Sequence, residues 1–201
     1  MKRKIRSQKP IVYIVCEWKT EEKYFTQLSR ILDNSFKFIT YDLKWGTILM
    51  NHPERVKRKI EWEIKHGKIK WLVQKIFIVF DLDIFIDKSK LQNTQNMLRD
   101  YELIYNNECF EYWILSHFKK YVLWKWKKKY LDEIRKFLPK LPEWRDYKMT
   151  WDENYNWLEN IDQINIAINN VKIVNKKTWN LKDRDPYSNV YELIEYIETN
   201  K

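Results

Sequence analysis

With 201 residues the chain is long enough for one full domain, burying roughly 70% of its unfolded surface, and its 16% aromatic content excludes a disordered chain. Its 38 Lys and Arg against 28 Asp and Glu give a net charge of +10, which favours polyanionic partners, nucleic acid first. Only two glycines, Gly46 and Gly67, are present, too few for a G-x-x-x-x-G-K-[ST] phosphate loop or a G-x-G-x-x-G turn, so a self-sufficient P-loop NTPase or Rossmann oxidoreductase is excluded.

After a basic arm, Ile11 to Cys16 is a continuous β-branched run, the pattern of a strand buried on both faces of a parallel sheet. From Lys19 to Leu32, Tyr24, Phe25, Leu28, Ile31 and Leu32 recur at helical spacing, with Thr20 as the expected helix start. A second strand is predicted over Phe36 to Leu43, then a turn at Trp45-Gly46-Thr47 and a helix from about Pro53 to His66, with Pro53 in the first turn. Lys75 to Phe80 repeats the apolar run and leads into Asp81-Leu82-Asp83. A short helix over Gln92 to Arg99 and a strand over Tyr101 to Tyr105 follow.

Cys109 to Leu138 reads as mostly helical, ended by Pro139 and Pro142. Trp144 to Trp157 reads as a loop leading into a helix, Ile161 to Val174 as a helix, and Val190 to Ile197 as another, preceded by a capping and turn cluster from Asp185 to Asn189. The β-α-β-α-β rhythm predicts an α/β fold with a mostly parallel sheet flanked by helices and a helical C-terminal extension. Residues 1–107 would form the core and 108–201 the extension, packed together as one compact unit.

His52, His66, His117, Cys16 and Cys109 show no C-x-x-C or H-E-x-x-H spacing, so neither a zinc site nor a disulfide framework is expected. No apolar stretch approaches the ~20 residues that span a bilayer. The basic start resembles a signal n-region, but its apolar segment ends at Glu17 without a small-residue cleavage site, so the reducing cytoplasm is the expected compartment.

Two strands terminate in acid, at Glu17 and at Asp81-Leu82-Asp83. Open α/β sheets bind ligands outside the carboxyl ends of their strands, near a switch in strand order. Extended geometry would point Asp81 and Asp83 to one side, where they could share a hard cation. Crowded carboxylates repel when ionised, so the cluster implies a cation or upward pKa shifts, with Mg²⁺ (or Mn²⁺) the economical answer, suited to bridging carboxylates and phosphates. Capping and turn formation would equally place acids at strand ends.

Four segments, in order, resemble the RloB-like family of Toprim-domain proteins from bacterial and archaeal defence loci. Val15-Cys16-Glu17-Trp18-Lys19-Thr20-Glu21-Glu22-Lys23-Tyr24-Phe25 is similar to the family's C-E-G-x-T-E-x-x-Y-F, and Asp81-Leu82-Asp83 to its D-x-D. Cys109-Phe110-Glu111-Tyr112-Trp113-Ile114-Leu115-Ser116-His117-Phe118 resembles C-F-E-x-W-x-x-x-H-F, and the segment from Asp185 to Leu193 resembles N-P-S-T-x-V-x-x-L. The resemblance implies a Toprim-like core in which Glu17, Asp81 and Asp83 are the catalytic carboxylates of Mg²⁺-dependent phosphodiester chemistry. Glu17 would be a metal ligand or general acid/base, Asp81 and Asp83 metal ligands, and Glu21 part of a second metal site.

Glu111 has two readings, as a further metal ligand or as an acid at the positive end of its helix. For His117, packing or phosphate contact is favoured over proton transfer. Trp18 stands where the family has Gly: it would be strained if that position needs φ > 0, or it could stack on a base. Lys119, Lys120, Lys125, Lys127, Lys128 and Lys129 interleave with Tyr121, Trp124 and Trp126, as nucleic-acid grooves do; an amphipathic helix with solvated lysines gives the same pattern. With Trp18 and Lys19, Lys119, Lys120, Lys125, Lys127 and Lys128 form the candidate nucleic-acid contacts.

The leading expectation is a Mg²⁺-dependent Toprim-type endonuclease acting on DNA or RNA, tRNA included, in anti-phage or mobile-element defence. The alternative is a catalytically degenerate nucleic-acid-binding or effector subunit. Related Toprim effectors are often paired with ABC-type ATPases, so an ATPase partner is implied by the resemblance; the sequence is also compatible with an oligomer.

Overall fold

A computed structural model describes residues 11–32, 37–42, 52–67, 73–82, 88–107, 109–121, 127–139, 158–177 and 186–200. The turn at Trp45-Gly46-Thr47, the segment from Trp144 to Trp157, Pro142, Asp83, Trp124, Lys125 and Trp126 lie outside them.

Strand β1, Ile11–Cys16, is buried at every position, as its unbroken apolar run requires. It pairs in parallel with β2, Lys37–Asp42, on one side and with β3, Val73–Asp81, on the other. Strand β3 pairs in parallel with β4, Glu102–Asn107, and the two-residue β5, Tyr187–Ser188, closes that edge antiparallel to β4. The sheet order is therefore β2-β1-β3-β4-β5. Within the capping and turn cluster that the sequence predicts, Asn189 is the N-cap of the C-terminal helix, and Tyr187 and Ser188 also complete the sheet edge.

Helices cover both faces. On one side α1, Lys19–Ile31, presents Tyr24, Phe25 and Leu28 to Val12, Ile14, Phe77, Val79 and Ile104. The same apolar cluster takes in α4 (Phe110–Ser116), α5 (Lys127–Arg135), α6 (Ile161–Lys177) and α7 (Val190–Thr199), so the two halves of the chain share one core. On the other side α2, Pro53–Lys65, and α3, Lys88–Met97, cover Tyr13, Val15, Ile78 and Phe80. Helix α2 starts with Pro53 in its first turn, as the sequence predicts. It stops at Gly67, whose φ of 71° suits a residue without Cβ.

Several boundaries differ from the sequence expectation: α3 runs Lys88–Met97 rather than Gln92 to Arg99, and β4 runs on to Asn107 rather than ending at Tyr105. Helix α1 begins at Lys19 rather than Thr20, with Trp18 in the N-cap position. The long helix expected from Cys109 breaks after Ser116. There Ser116 Oγ donates to Trp113 O at 2.5 Å and His117 Nδ1 meets Trp113 O at 3.0 Å, competing with the main-chain ladder, and residues 119–121 are not helical.

Candidate functional site

The sheet order reverses direction at β1 and β3: the chain steps from β1 outward to β2, then returns past β1 to lay down β3. Such a switch point opens a crevice at the carboxyl ends of the two strands. Glu17 and Asp81 stand there. Glu17 N–H donates to Val79 O at 3.2 Å, continuing the β1–β3 pairing, and Asp81 N–H donates to Glu17 Oε2 at 3.3 Å. Both residues are nearly excluded from solvent, at 3% and 4% exposure.

Glu21, fully buried one turn into α1, folds back toward that loop. Its Oε2 accepts the N–H of Glu17 at 2.8 Å and of Trp18 at 3.0 Å. An indole has no acceptor, so only this half of a reciprocal capping box forms at Trp18. The carboxylate also lies at the positive end of α1. Trp18 itself has φ −127° and ψ 153°, an extended conformation open to any residue, so a side chain here causes no backbone strain. It is half-buried, and Lys19 beside it is exposed.

Glu111 is in the first turn of α4 and fully buried, a position where an acid suits a helix's positive end. Among the described residues, no three His, Cys, Asp or Glu side chains converge as a metal-holding group. Glu17 is linked to Glu21 and to Asp81 through main-chain N–H groups and carboxylates.

For Mg²⁺ the donor set fits in kind, since these are hard oxygen ligands. A second sign comes from Asn106, the register partner of Asp81 on β4. It is fully buried, and neither polar atom of its amide has a hydrogen-bond partner among the described residues. Sequence reasoning missed this residue because the predicted strand stopped at Tyr105. The available signal was a third strand running into polar residues, Asn106-Asn107, at the same edge.

His117 is a packing residue. Its ring lies edge-on to Trp113, and Nε2 is 3.1 Å from Tyr24 Oη. Burial first of all lowers its pKa to about 4, against the opposing hydrogen bonds to Trp113 and Ile114.

The basic residues divide. Lys119 is bound to Glu133 at 2.8 Å and lies over the Tyr121 ring. Lys119 first, then Lys136, holds the Glu133 carboxyl down to about 2. Tyr121 packs on the core and meets Tyr130 edge-on, the structural role that an amphipathic pattern allows. Lys120, Lys128 and Lys129 are exposed. Lys127 starts α5. Lys23 follows Lys19 by one turn of α1, and desolvation first, then the Lys19 charge, lowers its pKa. The i,i+4 spacing of these lysines beside the first acidic motif was visible in the sequence, but Lys23 was not singled out.

A family model described as RloB-like protein matches residues 12–197. The chain belongs to the RloB-like family. The match runs from β1 into α7, so the family pattern includes the β1 and β3 edge and the C-terminal helices of this RloB-like protein. Searches of curated proteins and of solved structures give no match. No helix among the described residues is long and apolar enough to cross a membrane.

Proposed function

We propose that this RloB-like protein is a Mg²⁺-dependent Toprim-type nuclease that cleaves phosphodiester bonds of DNA or RNA in anti-phage or mobile-element defence. The observation that carries this reading is the meeting of Glu17 and Asp81 at the β1/β3 switch point, with Asp81 N–H on Glu17 Oε2 at 3.3 Å. Glu17 and Asp81 would hold the cation, with Asp83 following on the same segment. When bound, Mg²⁺ neutralises phosphodiester charge and lowers the pKa of a water for attack. Glu17 would alternatively serve as general acid/base at that centre. Lys19 and Lys23 supply positive charge beside the acids, and the net charge of +10 draws the polyanion in.

A second reading, a catalytically degenerate nucleic-acid-binding or effector subunit working with an ATPase partner, is favoured by Glu21. Its Oε2 is engaged with loop N–H groups, and Trp18 stands beside Glu17 where the family has Gly. The deciding experiment incubates purified protein with Mg²⁺ or Mn²⁺ and single- and double-stranded DNA, RNA and tRNA. Cleavage lost in Asp81→Ala supports the nuclease; binding without metal-dependent cleavage supports the second reading.

A further inference from the structure

Asn106 ends β4 beside Asp81. The two are register partners across parallel strands, and Leu82 N–H donates to Asn106 O at 2.9 Å. Strand alternation puts both side chains on the face that carries Val79 and Ile104. On its other side Asn106 pairs with Ser188, whose polar groups turn elsewhere. Ser188 Oγ accepts Val190 N–H at 3.3 Å, and Ser188 O accepts from Asn175 Nδ2 at 2.8 Å. The amide of Asn106 thus stays fully buried with neither polar atom hydrogen-bonded among the described residues.

A buried polar group left in this way weakens the fold, and an apolar residue of the same size would fill the same volume at lower cost. A ligand that uses the amide accounts for the cost, and an amide oxygen is a hard donor acceptable to a divalent cation. We infer that Asn106 is a third oxygen-bearing side chain of the site, directing its amide oxygen toward the cation held by Glu17 and Asp81. The inference rests on the metal reading proposed above and extends the site by one strand toward β5.

The test is calorimetric titration of Mn²⁺ into the full-length wild type, Asp81→Ala, Asn106→Leu and Asn106→Asp, with melting curves in EDTA. Expected are binding by the wild type, its loss in Asp81→Ala, and binding weakened about tenfold or more in Asn106→Leu. Asn106→Leu should nonetheless melt at or above the wild-type temperature, and Asn106→Asp, which keeps an oxygen, should retain binding. Wild-type affinity in Asn106→Leu overturns the inference and leaves the metal reading standing. A lower melting temperature in Asn106→Leu also overturns it, because the amide would then be serving the fold. No Mn²⁺ uptake by the wild type sinks the metal reading and this inference with it.

Discussion

Tyr24 of α1 and His117 at the end of α4, 93 positions apart, are joined by a 3.1 Å hydrogen bond between Oη and Nε2. The carbonyls of Trp113 and Ile114 lie 3.0 and 3.2 Å from Nδ1, which assigns the proton to that nitrogen and makes Nε2 the acceptor of the Tyr24 hydroxyl. The pair therefore locks the helix that follows Glu17 onto the helix that carries Glu111, with the imidazole neutral.

Acid should undo this lock. Burial lowers the His117 pKa from 6.5 to about 4 in the folded state, so between those values the unfolded chain binds a proton that the folded chain does not. The stabilisation is full above about pH 6.5 and is lost as the pH falls toward 4, at up to roughly 1.4 kcal/mol per pH unit. Urea midpoints measured from pH 7 to 4.5 should fall more steeply for the wild type than for His117→Gln. Equal slopes would remove His117 as the source.

Glu17 and Asp81 are both nearly excluded from solvent, and a buried carboxylate is costly to ionise, so replacing one should stabilise the metal-free protein. Asp81→Asn in EDTA should melt at or above the wild-type temperature. Mg²⁺ in hundredfold excess over its Kd should then stabilise only the wild type, by about 2.7 kcal/mol. A Mg²⁺ shift that survives in Asp81→Asn would place the ion elsewhere.

Glu21 accepts two loop N–H groups, so Glu21→Ala should cost about 2 kcal/mol by chemical denaturation. Glu21→Gln keeps a carbonyl acceptor and should recover about half of that. If Glu21 ligates metal instead, Glu21→Gln would fold normally and lose Mg²⁺ affinity, which the same titration detects.

Asn189 occupies the N-cap of α7, yet its side chain serves the sheet: Oδ1 accepts Tyr105 N–H at 2.7 Å and Nδ2 donates to Leu103 O at 3.1 Å. Ala there strands two backbone groups of β4, so Asn189→Ala should lose about 2 to 3 kcal/mol. Asn189→Asp keeps only the acceptor and adds a charge beside Glu192, and should recover little. Hydrogen exchange at the Tyr105 amide would report the same loss directly.

Trp18 is unstrained and half-buried, and a base-stacking role predicts that Trp18→Ala weakens single-stranded DNA or RNA binding by about 1 to 3 kcal/mol. Unchanged affinity in a filter-binding or anisotropy assay would make Trp18 a packing residue.

Local sequence pattern suffices for the strands and most helices, because burial on both faces of a parallel sheet demands unbroken apolar runs such as Ile11 to Cys16. It also determined that Glu17 and Asp81 end such runs. That β3 lies against β1, which brings Glu17 and Asp81 into contact, is visible in the fold and not in the pattern, since strand order is a non-local choice that periodicity does not encode. The same holds for Asn106 and Asn189. Whether a buried amide is left over for a ligand or stitches a sheet edge depends on which backbone groups its neighbours have already satisfied.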